Sequence, residues 1–162
     1  KETDLEEVCS HIYHAKRLFA YGTGETQHAV TQMIKRMFMN VNRFFVTLYG
    51  KTELMMTIED LSEEDMVIMI SLSGENELAV QAAKKLKARG VYTLSITRLS
   101  DNTLARLCSK NLYIPTDVLM TKAGVTFETI SPYFNVAELL CIRYLVYMKK
   151  QEEKKKEYRT EC

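Results

Sequence analysis

The chain has 162 residues, 46% of them hydrophobic, with 22 Lys and Arg against 21 Asp and Glu and a formal net charge of +1. That length supports one domain with a sizeable core, and the near-neutral charge argues against a nucleic-acid-binding surface within it. No apolar stretch approaches a membrane span, and Cys9, Cys108, Cys141 and Cys162 have no metal-ligand spacing, so they read as reduced thiols of a cytoplasmic protein with no metal.

The chain opens at Lys1-Glu2-Thr3 with neither an initiator Met nor a signal-peptide pattern, and a further segment is expected upstream. An amphipathic helix is predicted from about Asp4 to His14. It carries Cys9, His11 and His14, which read as part of a packing helix rather than a thiol-imidazole site. A short apolar strand, Arg17 to Tyr21, then meets a glycine-bearing turn, Gly22-Thr23-Gly24-Glu25-Thr26. Beyond the turn, Val30, Met33, Ile34, Met37 and Phe38 recur at helical spacing.

A second strand is predicted from Arg43 to Leu48. After it, Gly50-Lys51-Thr52 imitates the end of a Walker A loop, but Phe45 stands where the first glycine is needed. The dinucleotide fingerprint fails too, because its third glycine would fall at Gln27. No cofactor is therefore expected.

The run Met66-Val67-Ile68-Met69-Ile70 reads as a strand buried on both faces. It enters Ser71-Leu72-Ser73-Gly74-Glu75-Asn76, and a helical pattern follows from Leu78 to Arg89. Hydroxyls and unpaired N–H groups at a strand-to-helix junction form an anion cradle; Ser73 or Asn76 can equally serve as an ordinary helix cap. The junction at Gly22–Thr26 favours the cradle, since two such loops can converge on one ligand where an open parallel sheet reverses its winding.

Further strands are predicted at Val91 to Thr97 and Asn111 to Ile114, and a long helix from Ser131 to Lys150. The alternation describes an α/β, doubly wound, five-stranded parallel sheet flanked by helices. Between the last strand and that helix, Thr121 to Thr129 reads as a loop carrying Lys122 and Glu128. The basic concentration Lys149 to Lys156 is interspersed with glutamates and reads as a solvated helix end or frayed tail.

Gly22-x-Gly24-x-Thr26 together with Ser71-x-Ser73-Gly74-Glu75-Asn76 resembles the sugar isomerase (SIS) domain, a phosphosugar-binding three-layer sandwich of flavodoxin-like type. The segments Ala88 to Thr97, Ser100 to Cys108 and Leu112 to Pro115 are similar to the later elements of that family, so the resemblance covers nearly the whole chain. Among SIS proteins it is most like the effector half of RpiR-type bacterial transcription regulators, in which a helix-turn-helix domain precedes the SIS domain. The resemblance implies a domain over 1–150 with a charged tail over 151–162. It implies phosphosugar binding by Gly22, Gly24, Thr26, Ser71, Ser73, Asn76 and Glu128, a homodimer or higher homo-oligomer, and contact with DNA only through the upstream domain.

Three residues depart from the family pattern. Asn76 stands where Thr is usual and Thr26 where Ser is usual, and both keep hydrogen-bonding capacity. Glu25 stands where a small residue is usual; it is expected to point outward and favour the helix dipole. A sensor without catalytic residues is expected ahead of an aldose-ketose isomerase, because the chain holds only three histidines, His11, His14 and His28, and isomerisation needs an acid and a base at the sugar.

Overall fold

A computed structural model describes residues 2–116 and 118–160. Five parallel strands form one sheet: β1 (Arg17–Gly22), β2 (Phe45–Leu48), β3 (Asp65–Ile70), β4 (Tyr92–Arg98) and β5 (Lys110–Ile114). Their order is β2-β1-β3-β4-β5, in registers such as Leu18 opposite Phe45, Ala20 opposite Ile68, Ile68 opposite Leu94 and Ile96 opposite Leu112. The chain winds outward one way from β1 to β2 and the other way from β3 to β5. The reversal therefore falls between β1 and β3, the strands that feed the two predicted anion loops.

Helices cover both faces. Strand residues alternate between two cores, as a period of two requires. Leu18, Ala20, Met66, Ile68 and Ile70 pack with α1 (Glu2–His14), α2 (Glu25–Met39) and α6 (Ser131–Thr160). Phe19, Tyr21, Val67 and Met69 pack with α3 (Gly50–Ile58), α4 (Glu77–Ala88) and α5 (Thr103–Leu107). All six residues of β3 are buried, so a continuous apolar run was needed there. The fold is the three-layer α/β sandwich expected from the sequence.

The structure differs from the sequence reading at three places. Strand β2 begins at Phe45 rather than Arg43: the Arg43 N–H donates to Phe38 O at 3.1 Å, closing the turn after α2, and its guanidinium donates to Ala15 O at 2.6 Å. The final helix does not stop near Lys150 but continues to Thr160, so residues 151–160 of the expected tail are helical, and 161–162 lie outside the described residues. Lys155 Nζ there donates to Tyr13 Oη at 2.9 Å. The predicted loop before α6 contains an antiparallel hairpin, β6 (Val118–Met120) and β7 (Thr126–Glu128). Its strands are three residues each, too short to leave a period.

The false phosphate motif has a structural role. Gly50 has φ +78° and opens α3, and the Glu53 carboxylate accepts the Tyr49 N–H at 2.6 Å.

Candidate functional site

The C-terminal ends of β1 and β3 form a crest on which the two loops meet. The Thr23 N–H donates to Ile70 O at 3.0 Å and the Ser71 N–H to Ile96 O at 3.1 Å, so the sheet ladder extends one step beyond the strands and ties the loops together.

On the first loop Gly22 is buried against α2. A Cβ added there would lie 2.4 Å from the Gln27 carbonyl carbon and 2.6 Å from the His28 nitrogen. Glycine thus permits the helix to start against the strand. Gly24 is the N-cap of α2 and supplies no side-chain cap, leaving the first helical N–H groups without an intrahelical acceptor. Thr26 is half-buried in that first turn, and Glu25 is exposed, as the outward placement requires.

The second loop divides its hydroxyls. Ser71 is buried, and its Oγ accepts the Gly74 N–H at 3.2 Å; Ser73 is exposed and its Oγ accepts the Glu75 N–H at 3.1 Å. Gly74 has φ +67° and would place a Cβ 2.0 Å from Asn102 Oδ1, so only glycine fits. Asn76 is the N-cap of α4, its Oδ1 accepting the Ala79 N–H at 3.0 Å. It lines a shallow depression with Lys51 and Gln81, on the α3 side of the crest. Glu128 belongs to the other side: it is half-buried on β7 and meets Arg98 Nη2 at 3.4 Å. The Arg98 N–H donates to Leu72 O at 2.8 Å, which joins that side to the serine loop. The structure therefore brings Gly22, Gly24, Thr26, Ser71 and Ser73 to adjoining loops, with Asn76 and Glu128 at opposite margins.

Four supporting residues escaped the sequence reading. Glu75 caps α5, its carboxylate accepting the Thr103 N–H at 2.8 Å and the Thr103 hydroxyl at 2.7 Å; these bonds hold its pKa below the ordinary range. Buried Asn102 caps the same helix through Ala105 at 2.8 Å and donates to Thr97 Oγ1 at 2.9 Å. An Asn just before Thr103-Leu104-Ala105 is a legible N-cap signal. Gln27 Nε2 donates to the buried Tyr133 Oη at 3.2 Å, joining α2 to the start of α6. Burial pushes the Tyr133 phenol up, against the opposing effect of the Gln27 bond, so it is neutral at pH 7.

His11 stacks on Tyr92 at 3.5 Å, at the opposite end of the sheet, whereas His28 lies in the first turns of α2, its backbone against Gly22, and packs against Tyr49 at 4.5 Å. Burial, with Glu6 nearby, pushes the Cys9 thiol up to about 11, so it is an inert core thiol. No cluster of metal-ligating side chains occurs among the described residues, and no helix among them is long and apolar enough to cross a membrane.

A doubly wound parallel sheet with small, hydroxylated loops at its winding reversal belongs to the class of α/β ligand-binding domains. The chain matches the SIS domain over residues 11–140 and belongs to that family. It is 32% identical over 151 residues to the HTH-type transcriptional regulator GlvR of Bacillus subtilis, covering 93% of this chain and 59% of that protein. It is 26% identical over 148 residues to an HTH-type transcriptional regulator of Clostridium perfringens, covering 90% and 50%. The chain thus spans little more than half the length of these relatives. In fold it is similar to the sugar isomerase domain of an RpiR transcription factor from Sphaerobacter thermophilus, with TM-score 0.76, 20% identity and coverage of 94% and 87%. It is also similar to the Vibrio vulnificus NanR protein complexed with ManNAc-6P, with TM-score 0.77, 14% identity and coverage of 100% and 62%.

Proposed function

We propose that the chain is the phosphosugar-sensing effector domain of a bacterial RpiR-type transcriptional regulator, acting in the cytoplasm and contacting DNA only through a helix-turn-helix domain outside this sequence. The observation that carries the reading is the joined pair of loops at the winding reversal. The uncapped start of α2, with Thr26 in its first turn, and the loop carrying the exposed Ser73 follow neighbouring strands paired as far as Gly22 opposite Ile70, and such an arrangement suits a phosphate dianion. Gly22 and Gly24 let it approach the backbone. Ser71 and Asn76 shape the second loop through their own hydrogen bonds, and Glu128 offers an acceptor to sugar hydroxyls from the far margin. Regulators among the relatives support a sensor.

The assembly we infer is a homodimer. On α6, Leu139, Ile142 and Val146 are 44, 51 and 44% exposed and form one stripe at helical spacing. Light scattering that gives the mass of one chain at micromolar concentration would reject it.

The competing reading is an aldose-ketose isomerase, favoured by the Glu128 carboxylate at the margin of the crest and by a fold neighbour from Methanococcus jannaschii for which a 3-hexulose-6-phosphate isomerase function was inferred. A thermal-shift screen against hexose, pentose and amino-sugar phosphates tests both. A ligand at a hundredfold excess over its Kd adds about 2.7 kcal/mol. Ser73→Ala with Thr26→Val is the control, because these side chains are not buried in the loop as Ser71 is. A shift lost in the control and unaccompanied by turnover supports the sensor; turnover of the bound sugar selects the isomerase, and no shift with any ligand rejects both.

A further inference from the structure

Beside the crest, over the ends of β4 and β5, lies a cleft of about 500 Å³ in which Arg98 and Thr116 stand among the apolar side chains Leu99, Ile114, Pro115 and Pro132. Two polar atoms of these lining residues, Arg98 Nε and Thr116 Oγ1, are sealed from solvent without any hydrogen-bond partner. Buried polar atoms are almost always bonded, and an orphaned pair in one cleft calls for an explanation. Arg98 is half used. Its Nη2 reaches Glu128 at 3.4 Å, long beside the roughly 2.7–2.9 Å of a good charged pair, while Nε on the same edge of the guanidinium donates to nothing.

The Nε and Nη2 edge of an arginine matches the two oxygens of a carboxylate, a geometry that a hydroxyl cannot fill. Glu128 already brings a carboxylate to one corner of it, so the edge is open to that chemistry. The cleft also borders the serine loop, through the Arg98 N–H bonded to Leu72 O at 2.8 Å. From β3 to β5 is two strand spacings, about 10 Å, which an extended hexose-sized ligand can span.

We propose that this cleft is a carboxylate subsite and that the effector is a phosphorylated sugar acid, an inference that rests on the crest holding the phosphate. The ligand's carboxylate displaces Glu128, takes Nε and Nη2 together and accepts the Thr116 hydroxyl. Two carboxylates on one guanidinium repel each other, so Glu128 withdraws toward the sugar hydroxyls, and with it β7 of the hairpin.

The test titrates this chain with 6-phospho-D-gluconate and D-glucose 6-phosphate by calorimetry, and follows the Arg98 Nε–H by ¹H–¹⁵N NMR, assigned by its loss in Arg98→Gln. The expected result is that the phosphogluconate binds tighter by about tenfold or more. Arg98→Gln should erase that advantage, leaving the two ligands with equal affinity, and Arg98→Lys, which keeps the charge but not the fork, should lose most of it. Both variants are checked for native unfolding behaviour in urea. Equal affinities in the wild type, or an advantage that survives both substitutions, overturns the proposal while leaving the phosphosugar reading intact. If neither phosphosugar binds, that reading fails and D-gluconate alone decides the subsite: movement of the Arg98 Nε–H signal upholds it, and an unmoved signal overturns it.

Discussion

Replacing Gly22 by Ala should damage the site more than any surface substitution. The added methyl would meet the carbonyl carbon of Gln27 at 2.4 Å, its oxygen at 2.5 Å and the His28 nitrogen at 2.6 Å. These are helix backbone atoms, so no rotamer change relieves the clash. Restoring contact to the roughly 3.5 Å of packed atoms requires α2 to withdraw by about 1 Å. Overpacking of this kind costs about 1–3 kcal/mol, and a clash with three backbone atoms of one peptide unit belongs at the upper end, near 3 kcal/mol. For a domain of this size that corresponds to a loss of about 6–12 °C in Tm. Urea unfolding followed by circular dichroism measures it, with an unchanged m-value showing that stability alone has moved. Gly124→Ala is the comparison: Gly124 has φ +74° with nothing within 4 Å of the added Cβ, so only the left-handed strain of about 1–2 kcal/mol applies. Destabilisation by Gly22→Ala below about 0.5 kcal/mol, or smaller than that of Gly124→Ala, refutes the close helix-strand approach on which the crest geometry rests.

Asn102→Ala should cost about 2–3 kcal/mol in the same assay, since it removes a helix cap and the buried amide bond to Thr97 Oγ1, whose hydroxyl keeps its own bond to Arg98 O; a cost near that of an exposed cap, about 1 kcal/mol, would contradict the buried network. Ser71→Ala should cost about 1–3 kcal/mol without any ligand present, because the Gly74 N–H loses its buried acceptor, and an unaltered urea midpoint would show that the hydroxyl has no structural role. Asp65 makes the fold acid-sensitive: burial pushes its carboxyl up, but the Arg17 fork at 2.9 Å through both nitrogens, the Ser62 N–H and the Arg17 charge outweigh this and hold its pKa below the ordinary value. A depressed folded-state pKa contributes stability above the unfolded value of about 3.9 and loses it as pH falls through the folded one. The urea midpoint should therefore drop on acidification below about pH 4, and Asp65→Asn should flatten part of that drop; a variant whose midpoint falls as steeply as the wild type's would disprove the assignment.

The strands were legible one by one as short apolar runs, but their order in the sheet, β2-β1-β3-β4-β5, was not, since it is set by pairing between distant segments. Met66 to Ile70 is apolar at every position since it packs on both cores, and the two helix starts announce themselves by Gly22, Gly24 and Gly74. The hairpin was not legible: its pairing is set by contact between Val118–Met120 and Thr126–Glu128, not by any pattern within strands that short. Within the site, residue type revealed which loops matter but not what each side chain does. Ser71, Ser73 and Asn76 look alike as small polar groups before a helix, yet one is buried, one is exposed and one is a cap. Arg98 carried no motif at all, because its meaning depends on Glu128, thirty residues away.

If binding is to change an assembly, some element must touch both the ligand loops and the face between subunits, because only differential contact can shift an equilibrium. α6 is that element. Its first turn is held to the start of α2 by the Gln27 to Tyr133 bond of 3.2 Å, and its next turns carry the exposed Leu139, Ile142 and Val146. The opposite side of the same helix is fixed in the core by Ala137, Leu140 and Tyr144, so α6 responds as a rod rather than by local bending. The hairpin bearing Glu128 enters α6 directly, with the Tyr133 N–H donating to Ile130 O at 3.1 Å. A ligand that rearranges Gln27 from one side or Glu128 from the other therefore acts on the same helix end, and both routes arrive at one exposed stripe.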